Sequence, residues 1–310
     1  MTKDKISIVV PCYNEQECAS MFLEQLLAAT DGMDAEFEII FVDDGSSDKT
    51  LEVLRSLSKA HECVDYIALS RNFGKEAALL AGLEASRGDY IVVMDADLQH
   101  PPEILPQMYH AIKEEGYDSA ACRRVHAKGE SRIRSFFSRR FYRMLSKMSN
   151  MQLMQGTTDF RMMTRQFLDA VLTITERNRF TKGIYGWVGF STKWIEYKNA
   201  PRAAGKTKWS FWKLWLYSVD GMISFSAKPL AISSFFGMLF CLAAFVFAII
   251  IAIQWLLHGN PVQGWASTIT IILFASGIQL FSIGILGQYM AKAYVESKGR
   301  PIYIVKEKSK

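Results

Sequence analysis

Tyr90-Ile91-Val92-Val93-Met94 is an apolar, β-branched run that stops at Asp95-Ala96-Asp97. Its length and composition suit a buried strand. The same pattern recurs upstream. Ile6-Ser-Ile-Val-Val10 stops at Pro11, Glu38-Ile-Ile-Phe-Val42 stops at Asp43-Asp44-Gly45, and Tyr66 to Leu69 makes a third short run. Segments with helical spacing lie between them: Cys18 to Ala29, Lys49 to Ala60 with Ser47-Asp48 as its cap, and Lys75 to Ala85 closed by Gly88. Strands alternating with helices at this spacing predict an α/β fold with a mainly parallel, doubly wound sheet. Ligands of such sheets bind outside the carboxyl ends of the strands. The polar clusters after Val10, Val42 and Met94 fall at those ends.

The rest of the chain has a different character. It holds 310 residues, with 50% hydrophobic composition and a formal net charge of +5. That charge is too mild to argue for nucleic acid, but it is unevenly placed. Arginines and aromatics mix over about 131–148 (Arg132, Arg134, Phe136, Phe137, Arg139, Arg140) and again, with Trp209, Trp212 and Trp215, over about 206–228. Basic, aromatic helices suit an anionic membrane surface. Pro229 to Leu257 and Gly259 to Ala291 contain no Asp, Glu, Lys or Arg. A span needs about 20 apolar residues, so each run can cross a bilayer. The expected spans are about 230–257 and 265–291. Lysine and arginine flank the pair and are absent from the loop between, so the positive-inside rule puts both termini in the cytoplasm. The expected organisation is a cytoplasmic α/β domain over 1–228, a two-helix hairpin over 229–293 and a cytoplasmic tail over 294–310. No secretory signal is visible at the start. The five cysteines read as reduced core thiols, because no pair has zinc-like spacing.

Chemistry concentrates on Asp95-Ala-Asp97. Two carboxylates this close are costly unless a cation neutralises them. Mg²⁺ or Mn²⁺ carrying a diphosphate suits them, because these hard ions take a few carboxylates plus phosphate oxygens. Asp43 and Asp44 have the same placement after the second strand and can hydrogen-bond a base or ribose, or serve only a capped turn. There is no G-x-G-x-x-G, which counts against a dinucleotide. Gly205-Lys206-Thr207 mimics the end of a P-loop, but its earlier glycine would fall at Ala200 and no strand precedes it.

Taken together, Val10-Pro-Cys-Tyr-Asn-Glu15, Val42-Asp-Asp-Gly-Ser-Ser-Asp48, Arg71-Asn-Phe-Gly-Lys75 and Asp95-Ala-Asp-Leu-Gln-His-Pro-Pro102 resemble the signature of family 2 glycosyltransferases. Within these the chain is similar to polyprenyl-phosphate glycosyltransferases, over essentially its whole length and including the two terminal spans of the bacterial members. The resemblance implies a GT-A type nucleotide-binding domain. It implies that Pro11, Tyr13, Glu15, Val42, Asp43, Asp44, Asp95 and Ala96 hold the donor, and that Asp95, Asp97 and Gln99 bind the metal. Arg202 and Lys208, in Arg202-Ala-Ala-Gly-Lys-Thr-Lys208, match a basic loop that closes on donor phosphates; serine is commoner where Thr207 stands. Asp159, with Asp97 and Arg123, would act at the reacting centre. Arg123, Arg134 and Ser138 would meet the acceptor phosphate.

The implied reaction is inverting transfer of a sugar from a UDP-sugar, with UDP-glucose or UDP-N-acetylglucosamine first and a GDP-sugar second, to polyprenyl phosphate at the cytoplasmic face of the inner or plasma membrane. The lipid-linked sugar would serve cell-surface glycan modification. A homotetramer fits related bacterial enzymes. A phosphomonoester has its second pKa near ~6, so the acceptor is largely a dianion already and needs little from a base. Asp159 is therefore expected to orient an arginine or a sugar hydroxyl as much as to remove a proton. A processive polysaccharide synthase is the nearest alternative, but it calls for Gln-x-x-Arg-Trp and more spans; Lys206-Thr-Lys-Trp209 is the closest match. A non-catalytic lipid-binding or scaffold protein is the alternative from another class.

Overall fold

The structure is a computed structural model that describes residues 3–124, 157–197, 228–258 and 264–309. It separates into two units: Met1–Trp209 with Arg300–Lys310, and Ser210–Gly299.

The first unit is built on a sheet of eight strands in the order β7-β5-β6-β4-β1-β2-β3-β8. Its centre is the run expected from the sequence. Strands β1 (Asp4–Cys12), β2 (Ala35–Asp43), β3 (Val64–Leu69) and β4 (Tyr90–Val93) pair in parallel. Helices α1 (Ala19–Thr30), α2 (Thr50–Ala60) and α3 (Lys75–Ala85) form the crossovers. Both faces of the central strands are covered. Ile6, Ile8 and Val10 join a core with Phe22, Leu26 and Leu54 from α1 and α2, while Ile40 and Val42 join Ala78 and Ala81 of α3. Burial on both faces explains why these strands read as continuous apolar runs and not as alternating ones. The expectation of a mainly parallel α/β sheet is borne out.

The small residues of α3 set how closely it lies on the sheet. A Cβ on Gly82 would collide with the Val9 side chain and stand 3.0 Å from Val42 Cγ2. Close seating of α3 fixes where its first residue, Lys75, is delivered.

On the other side of β4 one strand, β6, runs against the rest, while β5 and β7 keep the direction of the central strands. A 3₁₀ turn (Pro102–Ile104) and α4 (Leu105–Lys113) lead into β5 (Ser119–Arg124). Strand β6 (Thr157–Thr164) runs antiparallel to both β4 and β5, and α5 (Arg165–Leu172) and α6 (Thr181–Trp187) precede β7 (Thr192–Tyr197), which is parallel to β5. At the opposite edge β8 (Val305–Lys308) lies antiparallel to β3. The expected tail therefore includes an edge strand of the eight-stranded sheet. The interface helices expected over 131–148 and 206–228 lie outside the described residues.

The second unit holds α7 (Lys228–His258) and α8 (Trp265–Ser297). Both are long and apolar enough to cross a membrane, with windows Ser233–Ile251 and Ile271–Ser297 at mean hydropathies of 2.7 and 1.8. Phe240 and Phe274 pack edge to face across the pair with ring centroids 5.5 Å apart. Phe235, Met238, Leu242, Phe245, Leu280 and Phe281 are all exposed. So much apolar surface is unfavourable in water and is natural against lipid.

Candidate active site

The loops after β1, β2 and β4 enclose a cleft of about 380 Å³. Pro11, Tyr13, Glu15, Asp44, Asp95, Ala96 and Asp97 line it, so seven of the residues singled out from sequence converge. Asn72, Gly74 and Lys75, from the loop after β3 and the start of α3, complete the wall.

Local chemistry explains why these loops hold their shape. The β1 and β2 loops are laced together. Asn14 N–H donates to Ser46 Oγ at 2.9 Å and Glu15 N–H to Thr50 Oγ1 at 2.8 Å, while Asn14 Oδ1 accepts the Ser47 N–H at 2.9 Å. Asp48 accepts from the Thr50 backbone N–H and hydroxyl; the N-cap of α2 is Lys49 and not the expected Ser47 or Asp48, so Asp48 steadies the first turn from one residue before it. Gly45 has φ +64, and a Cβ there would stand 2.6 Å from Asn72 N. Only glycine fits so close to the Arg71-Asn72 backbone. Among the described residues, two that are not glycine also take left-handed φ: Asn14 at 57 and Leu98 at 58. They follow Tyr13 and Asp97 directly. Backbone of this kind concentrates at functional sites.

Asp44 is both a wall residue and a structural clamp. Its two oxygens accept the Phe73 N–H at 2.7 Å and the Gly74 N–H at 2.9 Å, immediately before α3. Burial pushes its pKa up, against the effect of these two hydrogen bonds. Asp43 does not line the cleft; it accepts the Ser46 N–H at 3.2 Å and is likewise pushed up by burial. Val42 sits in β2 with its side chain in the α3-side core.

Asp159 belongs to β6, on the antiparallel side. His100 joins the two regions: its ring stacks on Phe160 with centroids 5.4 Å apart. Gln99, beside it, donates its N–H to Asp97 Oδ1 at 3.1 Å. Asp159 reaches the cleft through Lys75, whose Nζ lies 2.6 Å from Asp95 Oδ1 and 2.6 Å from Asp159 Oδ2. Lys182 Nζ stands 3.5 Å from Asp159 Oδ1. Burial alone would raise the Asp159 pKa, but the charges of Lys75 and Lys182 outweigh it and hold the carboxyl well below the usual range. Burial opposes the Lys75 ammonium too; Asp95 and Asp159 overcome that and raise its pKa. Lys182 is placed by a second link. Glu76 accepts the Thr181 N–H at 3.0 Å and the Thr181 hydroxyl, fixing the start of α6.

Sequence reasoning gave no role to Lys75, Lys182 or Glu76. A signal for Lys75 did exist. A lysine in the first helical turn opposes the helix dipole, so its presence there calls for acidic partners elsewhere. Arg123 is in β5, ion-paired with Glu196 of β7, and does not line the cleft. Arg134, Ser138, Arg202 and Lys208 lie outside the described residues.

The geometry suits a ligand with an aromatic base and anionic phosphates. Tyr13 is half-exposed at the rim, and the wall sets the Lys75 ammonium among the carboxylates of Glu15, Asp44, Asp95 and Asp97. The comparisons with known proteins agree in kind. The family described as Glycosyl transferase family 2 matches residues 7–172. "Putative glycosyltransferase CsbB" of Bacillus subtilis (strain 168) is 40% identical over 99% of this chain and 93% of its own. "Prophage bactoprenol glucosyl transferase homolog" of Escherichia coli (strain K12) is 37% identical over 99% of this chain and 100% of its own. "Bactoprenol glucosyl transferase" of Shigella phage SfV is 38% identical over the same shares, 99% and 100%.

Proposed function

The chain belongs to glycosyl transferase family 2, and from that premise we propose that it transfers a hexose from a nucleotide-sugar to a polyprenyl phosphate at a membrane surface. The observation that carries this reading is the convergence of Asp95 and Asp97 with Pro11, Tyr13, Glu15 and Asp44 in one cleft, in a chain that also has two apolar helices of membrane-spanning length. The E. coli and phage relatives, named for bactoprenol and for glucose, support the acceptor class and make UDP-glucose the first donor to test.

A divalent metal fits the residues present. Among the described residues no group of three or more His, Cys, Asp and Glu is arranged to hold an ion. The protein side therefore offers the Asp95 and Asp97 carboxylates, and diphosphate oxygens would supply the rest, as Mg²⁺ sites with nucleotides commonly do. A cation already stands at this locus, since the Lys75 ammonium is 2.6 Å from Asp95. When bound, Mg²⁺ or Mn²⁺ would neutralise charge on the departing nucleoside diphosphate.

The chain's own groups do the remainder. Tyr13 and Glu15 receive the nucleotide, and Asp44 holds the Phe73-Gly74 wall in place. The acceptor phosphate oxygen attacks the anomeric carbon as a dianion, its second pKa being near ~6. A carboxylate held as strongly ionised as Asp159 is a poor proton acceptor, so Asp159 serves to hold Lys75 and Lys182 at the reacting end of the cleft. Arg134, Ser138, Arg202 and Lys208 are proposed to close on the two phosphates, because arginine's planar fork matches phosphate oxygens.

The two apolar helices would keep the enzyme where a lipid-borne acceptor lies, raising effective concentration without new contacts. Strand β8 supports a hairpin with both ends on the catalytic side, because the residues after α8 join the catalytic sheet. The basic segments 131–148 and 206–228 would rest on the same surface.

The test is detergent-purified full chain with undecaprenyl phosphate, Mn²⁺ and a panel of UDP- and GDP-sugars, read by mass spectrometry of the lipid. A glucosylated lipid phosphate from UDP-glucose, lost in Asp97→Ala, is the expected result. Folded protein that makes no lipid product from any donor would defeat the reading.

A further inference from the structure

Lys75 is the one cation among the described residues that touches both Asp95 and Asp159. Three features of the fold deliver it there. Asp44 clamps the backbone N–H groups of Phe73 and Gly74 just before it. Gly82 lets α3 lie against Val9 and Val42. Glu76, the next residue, is anchored to Thr181 at the start of α6. The ammonium is thus held against two carboxylates at the same end of the cleft, although the helix dipole disfavours a cation at that position.

This geometry has a consequence for loading. A divalent cation entering at Asp95 and Asp97 must compete with an ammonium that already neutralises Asp95. Once it does so, the ammonium is released from Asp95 while still lining a cleft sized for a nucleotide. We propose that Lys75 is an internal placeholder cation: it holds Asp95 and Asp159 in position before the donor binds, yields Asp95 to the metal, and is then available to the donor diphosphate. Lys75 is on this view a positioning residue in the unloaded enzyme, and it couples metal binding to nucleotide binding. Each ligand eases the entry of the other, because the metal frees the ammonium for the diphosphate and the diphosphate draws it away from Asp95. Such coupling is reciprocal by thermodynamic necessity. The inference rests on reading the cleft as a metal-assisted nucleotide-sugar site.

The experiment is a titration of Mn²⁺ into the full chain in detergent, following free Mn²⁺ by electron paramagnetic resonance, with and without UDP. Wild type, Lys75→Gln, Lys75→Met and Lys75→Arg are compared, each checked for folding by thermal unfolding. Without UDP, Lys75→Gln and Lys75→Met should bind Mn²⁺ about tenfold more tightly than wild type, because Asp95 has lost the ammonium that competes with the metal. Lys75→Arg, which keeps the charge, should stay near wild type. The strengthening of Mn²⁺ binding by UDP should be smaller in Lys75→Gln than in wild type. A damaged site would lose affinity, so a gain cannot come from misfolding, and Lys75→Met preserves the aliphatic stem. Equal or weaker Mn²⁺ binding in folded Lys75→Gln and Lys75→Met, with UDP still strengthening binding in all variants, would overturn this inference alone. No Mn²⁺ binding in any variant, even with UDP, would overturn it together with the metal-assisted reading of the cleft.

Discussion

Arg55 and Glu307, 252 positions apart, meet in a two-point ion pair, Nε to Oε1 and Nη2 to Oε2 both at 2.8 Å. The pair fastens β8 to α2 across the edge of β3. Ser309 adds a hydrogen bond to Asp65 at 2.8 Å, and Tyr303 packs on the Ile40–Val42–Ala78 core while its hydroxyl reaches Glu84. An uncovered parallel edge is a site for unwanted strand pairing. Removing residues 301–310 should therefore lower the thermal midpoint and promote aggregation, with about 1–2 kcal/mol of the loss from the half-buried Tyr303 ring. Glu307→Ala should have a smaller effect in the same direction, because the ion pair is partly exposed and weakened by salt. Thermal unfolding of both variants in detergent, at low and high salt, checks this. A truncated chain as stable and soluble as wild type would show that β8 contributes nothing.

Asp44 is the next point of leverage. Replacing it with alanine removes the acceptor for two N–H groups before α3. Leaving a buried donor without its acceptor typically costs about 1–3 kcal/mol. Asp44→Ala should lower stability by that order and weaken UDP binding, because the Gly74-Lys75 wall loses its anchor. Asp44→Asn, which keeps one carbonyl acceptor, should fall between. Calorimetric UDP titration beside thermal unfolding separates the two effects. Unchanged UDP affinity in Asp44→Ala would detach the clamp from the site.

What the sequence made legible follows a physical division. Strands β1 to β4, helices α1 to α3 and the apolar pair α7 and α8 are written in local patterns of burial, and their starts and ends fall within about three residues of those expected, except that α8 runs on to Ser297, past the expected end at about 291. Strand β8 was not, because Val305-Lys-Glu-Lys308 is short and charged. It is a strand only because β3 offers it an edge and Arg55 a partner. Strands β5 to β7 escaped for a related reason: their pairing is non-local, and the patterns of β5 and β6 are broken by Arg123 and Asp159. The cleft residues were readable as carboxylates at strand ends. Lys75 was missed despite its place in the first turn of α3, since a lysine on a helix ordinarily reads as a solvated face, and its two carboxylate partners come from β6 and the loop after β4.

Gly82 tests how tightly the fold dictates the site. Alanine adds one methyl against Val9 and Val42 and forces α3 away from the sheet. Overpacking of this kind costs about 1–3 kcal/mol. Gly82→Ala should therefore lower the thermal midpoint and, by shifting Lys75, alter UDP affinity although residue 82 does not line the cleft. Gly45→Ala should be more damaging, because it combines left-handed φ with a collision against the Arg71-Asn72 backbone that no side-chain rotation relieves. Equal, wild-type-like stability in both variants would contradict the close approach that positions α3.

Asp159 makes a prediction about pH with a definite sign. Burial works to raise its pKa, but Lys75 and Lys182 prevail and the folded value lies below the ordinary one near ~4. A carboxylate depressed by folding contributes stability that is fully present above its unfolded pKa and is lost as pH falls toward the folded value. The stability gap between wild type and Asp159→Asn should thus be constant above about pH 5 and narrow steadily as the pH is lowered toward about 3. The transfer reaction should behave differently. If the acceptor phosphate attacks as a dianion, the acid limb of kcat/KM should lie near ~6, where that phosphate gains its proton. Asp159→Asn should lower the rate by about ten- to a hundredfold through misplaced lysines, less than the full range that loss of a general base can reach. The limb itself should stay where it is. Denaturant unfolding and lipid glucosylation, each measured across pH for the two proteins, test both statements. A limb displaced by Asp159→Asn, or activity abolished with Lys75 and Lys182 intact, would return the role of base to this carboxylate.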